Sequence, residues 1–223
     1  MAARLSPDRL ATLAEATRPR LAALADRDWA ADFYLAGSAA LALYLAHRPV
    51  RDLDLMSGTH RLLPADRRDL LADLLALEPL ARVETARDGF LFVRLPGDVA
   101  LRFFSYPYPL ADPLEQIQGL AVASLADLGL MKLGALISRG TRRDFVDLYL
   151  IARELPLPAL LARSGEKFGH VGDFPLQAYK ALADFSEAED EPMPRLSAAL
   201  DWSTVRAWAE REAAHAGRAL LAP

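Results

Sequence analysis

Leu35-Ala36-Gly37-Ser38-Ala39-Ala40-Leu41-Ala42-Leu43, followed after Pro49 by Asp52-Leu53-Asp54-Leu55, is the stretch on which the fold turns. Just ahead of it, Asp32-Phe33-Tyr34-Leu35 is short, aromatic and soon ended by glycine, the pattern of a strand. Residues 38–47 are rich in Ala and Leu with no breaker, which predicts a buried helix closed by Pro49. Residues 50–56 resume as a strand, and because side chains alternate across a strand, Asp52 and Asp54 share one face.

Working outward, Ser6-Pro7 has the order of an N-cap followed by proline at the first helical position, so a first helix starts there. Pro19 ends or restarts it, and a second apolar-periodic stretch covers residues 21–29. Downstream, residues 64–77 form an amphipathic helix, and 82–85, 90–95 and 99–106 have strand character, with Pro96-Gly97-Asp98 as a hairpin turn. Beyond Pro113 the pattern is helical to the end, with breaks at Gly140, around Pro156 and Pro158, and between Gly165 and Pro175. Residues 187–194 are acidic, carry two prolines and read as an exposed loop before a last helix over 203–221. The expected fold class is α+β: a small mixed sheet with flanking helices over 1–112, then a C-terminal helical lobe over 113–223.

With 223 residues the chain is long enough to bury a real core. Cysteine is absent, which excludes thiol catalysis, cysteine-ligated zinc and a disulfide framework. The first thirty residues are interrupted by Arg4, Asp8, Arg9, Glu15, Arg18 and Arg20, so no signal-peptide core is expected. No charge-free span is long enough to cross a membrane, and the expectation is a soluble, cytoplasmic protein. A formal net charge of -4 argues against a strongly basic surface, so any RNA-binding face must be local. Lysine occurs only at Lys132, Lys167 and Lys180, every other basic position being Arg.

Two carboxylates one residue apart on a strand can together hold a hard cation that prefers oxygen ligands. A glycine at a strand-to-helix turn lets the backbone approach phosphate oxygens, and the helix N-terminus behind it offers free N–H groups and a favourable dipole. Gly37-Ser38 supplies that turn, with the Ser38 hydroxyl as a further donor.

Strand, Gly-Ser, helix, then a strand with Asp-x-Asp resembles the active-site frame of the DNA polymerase β-like nucleotidyltransferase superfamily over residues 33–57. A second block narrows the likeness. The run from Leu35 to Leu43, His47-Arg48, Asp52-Leu53-Asp54-Leu55, Lys132-Leu133 and Arg143-Asp144-Phe145-Val146-Asp147-Leu148-Tyr149 together look like the AbiEii/AbiGii toxin family. The resemblance spans residues 33–153, and Arg143 stands where that family often has Lys. It implies a nucleotidyltransferase using a nucleoside triphosphate and Mg2+, acting as the toxin of a toxin–antitoxin or phage-defence pair. The implied acceptor is RNA, the 3′ end of tRNA in some relatives, and the implied protein partner is an antitoxin. Residue by residue it assigns Asp52 and Asp54 to the metal, and Gly37, Ser38, Arg48 and Lys132 to the nucleotide. It makes Asp52, Asp54, Lys132 and Asp147 catalytic. Three roles are open to Asp147: completing the metal site, orienting Lys132, or helping to activate the acceptor hydroxyl.

Structural readings stand beside these. Thr141 and Asp144 form a capping box, as do Ser124 and Asp127, and Asp127 is assigned no chemistry. His47 and Arg48 also suit a polar helix end. Arg139, Arg142 and Arg143 suit either an RNA backbone or a solvated turn. Trp202, Trp208, Phe103 and Phe104 read as core. Many superfamily members carry a third metal-binding acid on a later strand, whereas residues 99–104 present Arg102 and no carboxylate. Three alternatives follow: one Mg2+ suffices, Asp147 supplies the third acid, or activity has been lost and an interaction protein remains. An acceptor other than RNA, such as an aminoglycoside-like small molecule or a protein hydroxyl, is also open.

Overall fold

The computed structural model describes residues 4–221, with side chains through residue 215. It divides into two compact units, Arg4–Ser124 and a second beginning at Leu125.

The first unit is built on a seven-stranded mixed sheet. Its strands are β1 (Tyr34–Ala36), β2 (Leu53–Ser57), β3 (Arg82–Arg87), β4 (Phe90–Leu95), β5 (Val99–Ser105), β6 (Glu115–Ile117) and β7 (Leu120–Val122), in the order β3-β4-β5-β2-β1-β7-β6. β2 lies at the centre, antiparallel to β1 and parallel to β5. β1 continues parallel to β7, and β3-β4-β5 is an antiparallel meander. Three helices accompany it: α1 (Arg18–Ala25), α2 (Gly37–Leu45) and α3 (Pro64–Leu77).

Local sequence explains each. Every residue of α2 from Ala39 to Tyr44 is buried, which is why it is apolar all round. The helix stops where Ala46 takes a left-handed conformation at φ 50°. In β2, Leu53, Leu55 and Ser57 are buried while Asp54 and Met56 face the other way. Under the buried side of the sheet, Phe33 meets Phe103 at 5.2 Å between ring centroids, and Trp29 meets Phe103 at 5.4 Å, in edge-to-face contacts. Asp73 of α3 accepts the Trp29 indole N–H at 2.8 Å, tying that helix to the same cluster.

Three expectations are corrected here. Residues just beyond Pro113 do not continue as helix but form the β6–β7 hairpin, turned at Gln118 (φ 49°) and Gly119 (φ 83°). Strands this short carry too few residues for periodicity to separate them from helix. The first helix is a 3-10 turn, Pro7–Thr12, which ends because Leu13 leaves it to bridge Val50. For the same reason Val50 is pinned to the N-terminal segment, and β2 proper starts at Leu53.

The second unit is helical: α4 (Leu125–Arg139), α5 (Arg142–Ala152), α6 (Leu157–Ala162), α7 (Ser164–Phe168), α8 (Phe174–Leu182) and α9 (Trp202–Leu221). A Cβ on Gly129 would stand 2.8 Å from Leu160 and 3.2 Å from Ile151, so this glycine sets how closely α4 meets its neighbours. The stretch 187–194 is less free than its composition implies. Ala188 is buried, and the Glu191 carboxylate accepts the Arg142 backbone N–H at 2.8 Å, covering a free donor of the first turn of α5. Among the described residues no helix is long and apolar enough to cross a membrane.

Candidate active site

Asp54 lies in β2 beside Arg102 of β5, and Asp52 precedes β2 on the same face. The Arg102 guanidinium bridges both acids, donating from Nη1 to Asp54 Oδ1 at 3.1 Å and from Nη2 to Asp52 Oδ2 at 3.1 Å. The Ala100 backbone N–H holds the other Asp52 oxygen at 3.2 Å. Arg102 in turn lies over the Phe92 ring, 5.0 Å from its centroid. Burial works against the arginine's charge, but Asp54 and Asp52 more than offset it and keep the guanidinium firmly protonated.

The Gly37 turn meets this pair directly. Gly37 has φ 60°, and a Cβ built there would collide with Asp54 Oδ2. Glycine is therefore required twice over, for its backbone conformation and for the close approach of a carboxylate. Ser38, the next residue, accepts a hydrogen bond at its Oγ from Arg48 Nη2. Arg48 and His47 are buried rather than solvated at a helix end, and they follow the left-handed stop of α2. Gly37, Ser38, Arg48, Asp52 and Asp54 thus gather in the first unit.

The other two predicted residues meet each other in the helical unit. Lys132 of α4 places Nζ 2.7 Å from Asp147 Oδ2 and 3.3 Å from Asp144 Oδ1, both on α5. Asp144 and Asp147 are fully buried, and Lys132 is 8% exposed, so Lys132 is not an ordinary solvated helix residue. Asp144 also accepts two hydrogen bonds from Arg139, at 2.8 and 2.9 Å, and one from the Thr141 hydroxyl at 2.6 Å. Burial opposes its ionisation, yet Arg139, Lys132 and Thr141 together outweigh burial and hold its carboxyl below the ordinary range. The expected capping role is also present, with the Asp144 N–H donating to Thr141 Oγ1. Asp144 is both a cap and the second anchor of Lys132.

The donor set of the first unit suits one hard divalent cation. Two carboxylates converge on a single cationic group, and phosphate and water oxygens can complete the shell, as Mg2+ sites commonly allow. Among the described residues no group of three or more His, Asp or Glu side chains converges as a metal cage. Sequence reasoning noted Arg102 only as a missing carboxylate; its position opposite Asp54 in the β2–β5 register makes it part of the site. The Arg48–Ser38 bond, too, had no signal beyond the proximity of two polar residues in sequence.

A Gly-Ser turn at a helix start, packed against paired acids on the central strand of a mixed sheet, defines the class: this is a nucleotidyltransferase. The profile of the family described as nucleotidyl transferase AbiEii toxin, type IV toxin–antitoxin system, matches residues 20–212. The chain belongs to that family. An uncharacterized protein of Aquifex aeolicus (strain VF5) is 30% identical over 164 residues, covering 72% of this chain and 77% of that protein. In fold the chain is similar to MenT4, a nucleotidyltransferase toxin of Mycobacterium tuberculosis H37Rv. That comparison has a TM-score of 0.55 and 17% identity, over 82% of this chain and 74% of that one. It is also similar to a candidate nucleotidyltransferase from H. pylori, with a TM-score of 0.53 and 16% identity over 94% of both chains. A toxin of this type implies a nucleotide substrate and an antitoxin partner.

Proposed function

We propose that the protein transfers a nucleotidyl group from a nucleoside triphosphate to RNA, the 3′ end of tRNA being the acceptor, until a cognate antitoxin restrains it. The observation that carries this reading is the convergence of Asp52 and Asp54 beside the Gly37 turn, where a carboxylate fits only because no Cβ is present. Asp52 and Asp54 would hold Mg2+, which when bound would supply positive charge to neutralise that of the triphosphate. Gly37, Ser38 and Arg48 serve the nucleotide, the last two already joined by a hydrogen bond. Lys132 and Asp147 are catalytic, Lys132 as a compact positive charge for the triphosphate, pre-oriented by its carboxylate partners.

Incubation of the protein with labelled nucleoside triphosphates, total RNA and Mg2+ tests the reading. Label should enter small RNA and disappear with Asp52→Ala or Asp54→Ala. No transfer from any nucleoside triphosphate by folded protein would overturn it. The net charge of -4 favours two other acceptors, a small molecule and a protein hydroxyl, and label in either fraction instead of RNA would select that one.

A further inference from the structure

We propose that Arg102 is the resident cation of the acid pair: it holds Asp52 and Asp54 convergent when no metal is bound, and it limits them to a single divalent ion. The inference rests on the metal-binding reading of Asp52 and Asp54 and goes beyond it by assigning the residue that sets the ion count.

Three observations carry it. First, one guanidinium donates to both acids at equal 3.1 Å distances, so a single group does what a bridging cation would do. Two carboxylates this close repel each other, and a fixed positive charge relieves the repulsion. Second, Arg102 occupies the position opposite Asp54 across the β2–β5 pair, so its side chain shares the face of the sheet that carries the two acids. Third, the guanidinium is backed by the Phe92 ring, with the arginine only half-buried, so it is held in place on one side and reachable on the other.

Charge decides the ion count. Asp52, Asp54 and Arg102 together carry a net charge of -1, enough to attract one divalent ion with help from phosphate but not to offset two. A metal entering the pair must compete with a bidentate arginine, which makes Arg102 a positioning residue with a measurable cost to metal affinity.

Mn2+ is the probe, titrated into the whole 223-residue chain without nucleotide, the free ion being read by its paramagnetic resonance signal. Arg102→Ala should bind Mn2+ about two- to fivefold more tightly than the unmodified protein, the order expected when a partly exposed competing ion pair is removed. Arg102→Lys, which keeps the charge but cannot fork across both acids, should fall between. Arg102→Asp should take up a second ion. A residue with a merely structural role would weaken metal binding on removal, never tighten it. If Arg102→Ala does not fold by circular dichroism, Arg102→Gln replaces it. The proposal is overturned if neither neutral variant tightens Mn2+ binding, or if Arg102→Asp still takes one ion, while Asp52→Ala and Asp54→Ala abolish binding. Mn2+ binding that survives both aspartate substitutions instead overturns the metal-binding reading itself.

Discussion

Gly37 has φ 60° and the Asp54 carboxylate against the face where a side chain would begin. Alanine there would adopt a left-handed conformation and displace the Asp54 carboxylate. Gly37→Ala is therefore expected to cost about 1–3 kcal/mol in chemical denaturation and to lower nucleotidyl transfer by at least about tenfold. Asp144 supports a second prediction at this scale. Its carboxyl is held below the ordinary range, so the stability it contributes is fully present above the unfolded value of roughly 3.9 and is lost as pH falls through the folded one. Asp144→Asn should be the less stable protein at pH 7, and the gap in urea midpoints should close below about pH 4. A gap that is constant from pH 7 to pH 3 would show that ionisation of Asp144 does not contribute. The glycine and the acids were legible because residue type and spacing carry them. Arg102 was legible only as an absence, since a strand register is needed to bring it opposite Asp54.

At the scale of elements, α4 is defined by what it buries. Asp127 reads as one half of a capping box in sequence, yet its carboxylate is fully buried and paired with Lys167 of α7 at 2.8 Å, a partner forty positions away. Removing one member of a buried pair leaves the other charge uncompensated. Lys167→Met is expected to cost about 3–5 kcal/mol, and adding Asp127→Leu should recover most of that loss. Failure of the double variant to recover would mean that packing around the lysine stem, not the charge, is what the single variant loses. The helices themselves were legible: the sequence reading of 64–77 agrees with α3, and the breaks near Gly140 and Pro156 agree with the ends of α4 and α5. The short β6 and β7 were not, because three residues hold less than one helical turn and barely more than one strand repeat, too little to tell the two periods apart.

For the whole molecule, ligand linkage gives the broadest test. On the proposed function, a nucleoside triphosphate with Mg2+ would bind only the native arrangement of the Gly37 turn and the acid pair, so it should raise the melting temperature. At a ligand concentration near 100 times Kd the gain is about 2.7 kcal/mol, and for a protein of this size each kcal/mol corresponds to roughly 2–4 °C. Asp54→Ala should abolish the shift. Equal shifts in the variant and the unmodified protein would place nucleotide binding elsewhere. Net charge bears on the acceptor at the same scale. With -4 overall, RNA association should depend on few contacts, giving a shallow dependence on salt; a steep one would point to an extended basic face.

The amino-acid sequence by itself determined the class of fold, the turn at Gly37-Ser38 and the pairing of Asp52 with Asp54. These rest on local periodicity and on motifs whose spacing is fixed along the chain, whereas Lys132 and Asp147 stood out only through resemblance to a family, with orientation of Lys132 one of three open roles for Asp147. Tertiary structure decided what each of those residues touches. Gly37 makes room for Asp54, Arg102 crosses from a neighbouring strand to bridge both acids, Asp144 joins Asp147 on Lys132, and Asp127 finds Lys167. Partners such as Arg102 and Lys167 stand dozens of residues from the groups they meet. Strand register and helix packing set those pairings, and neither is encoded in any local window.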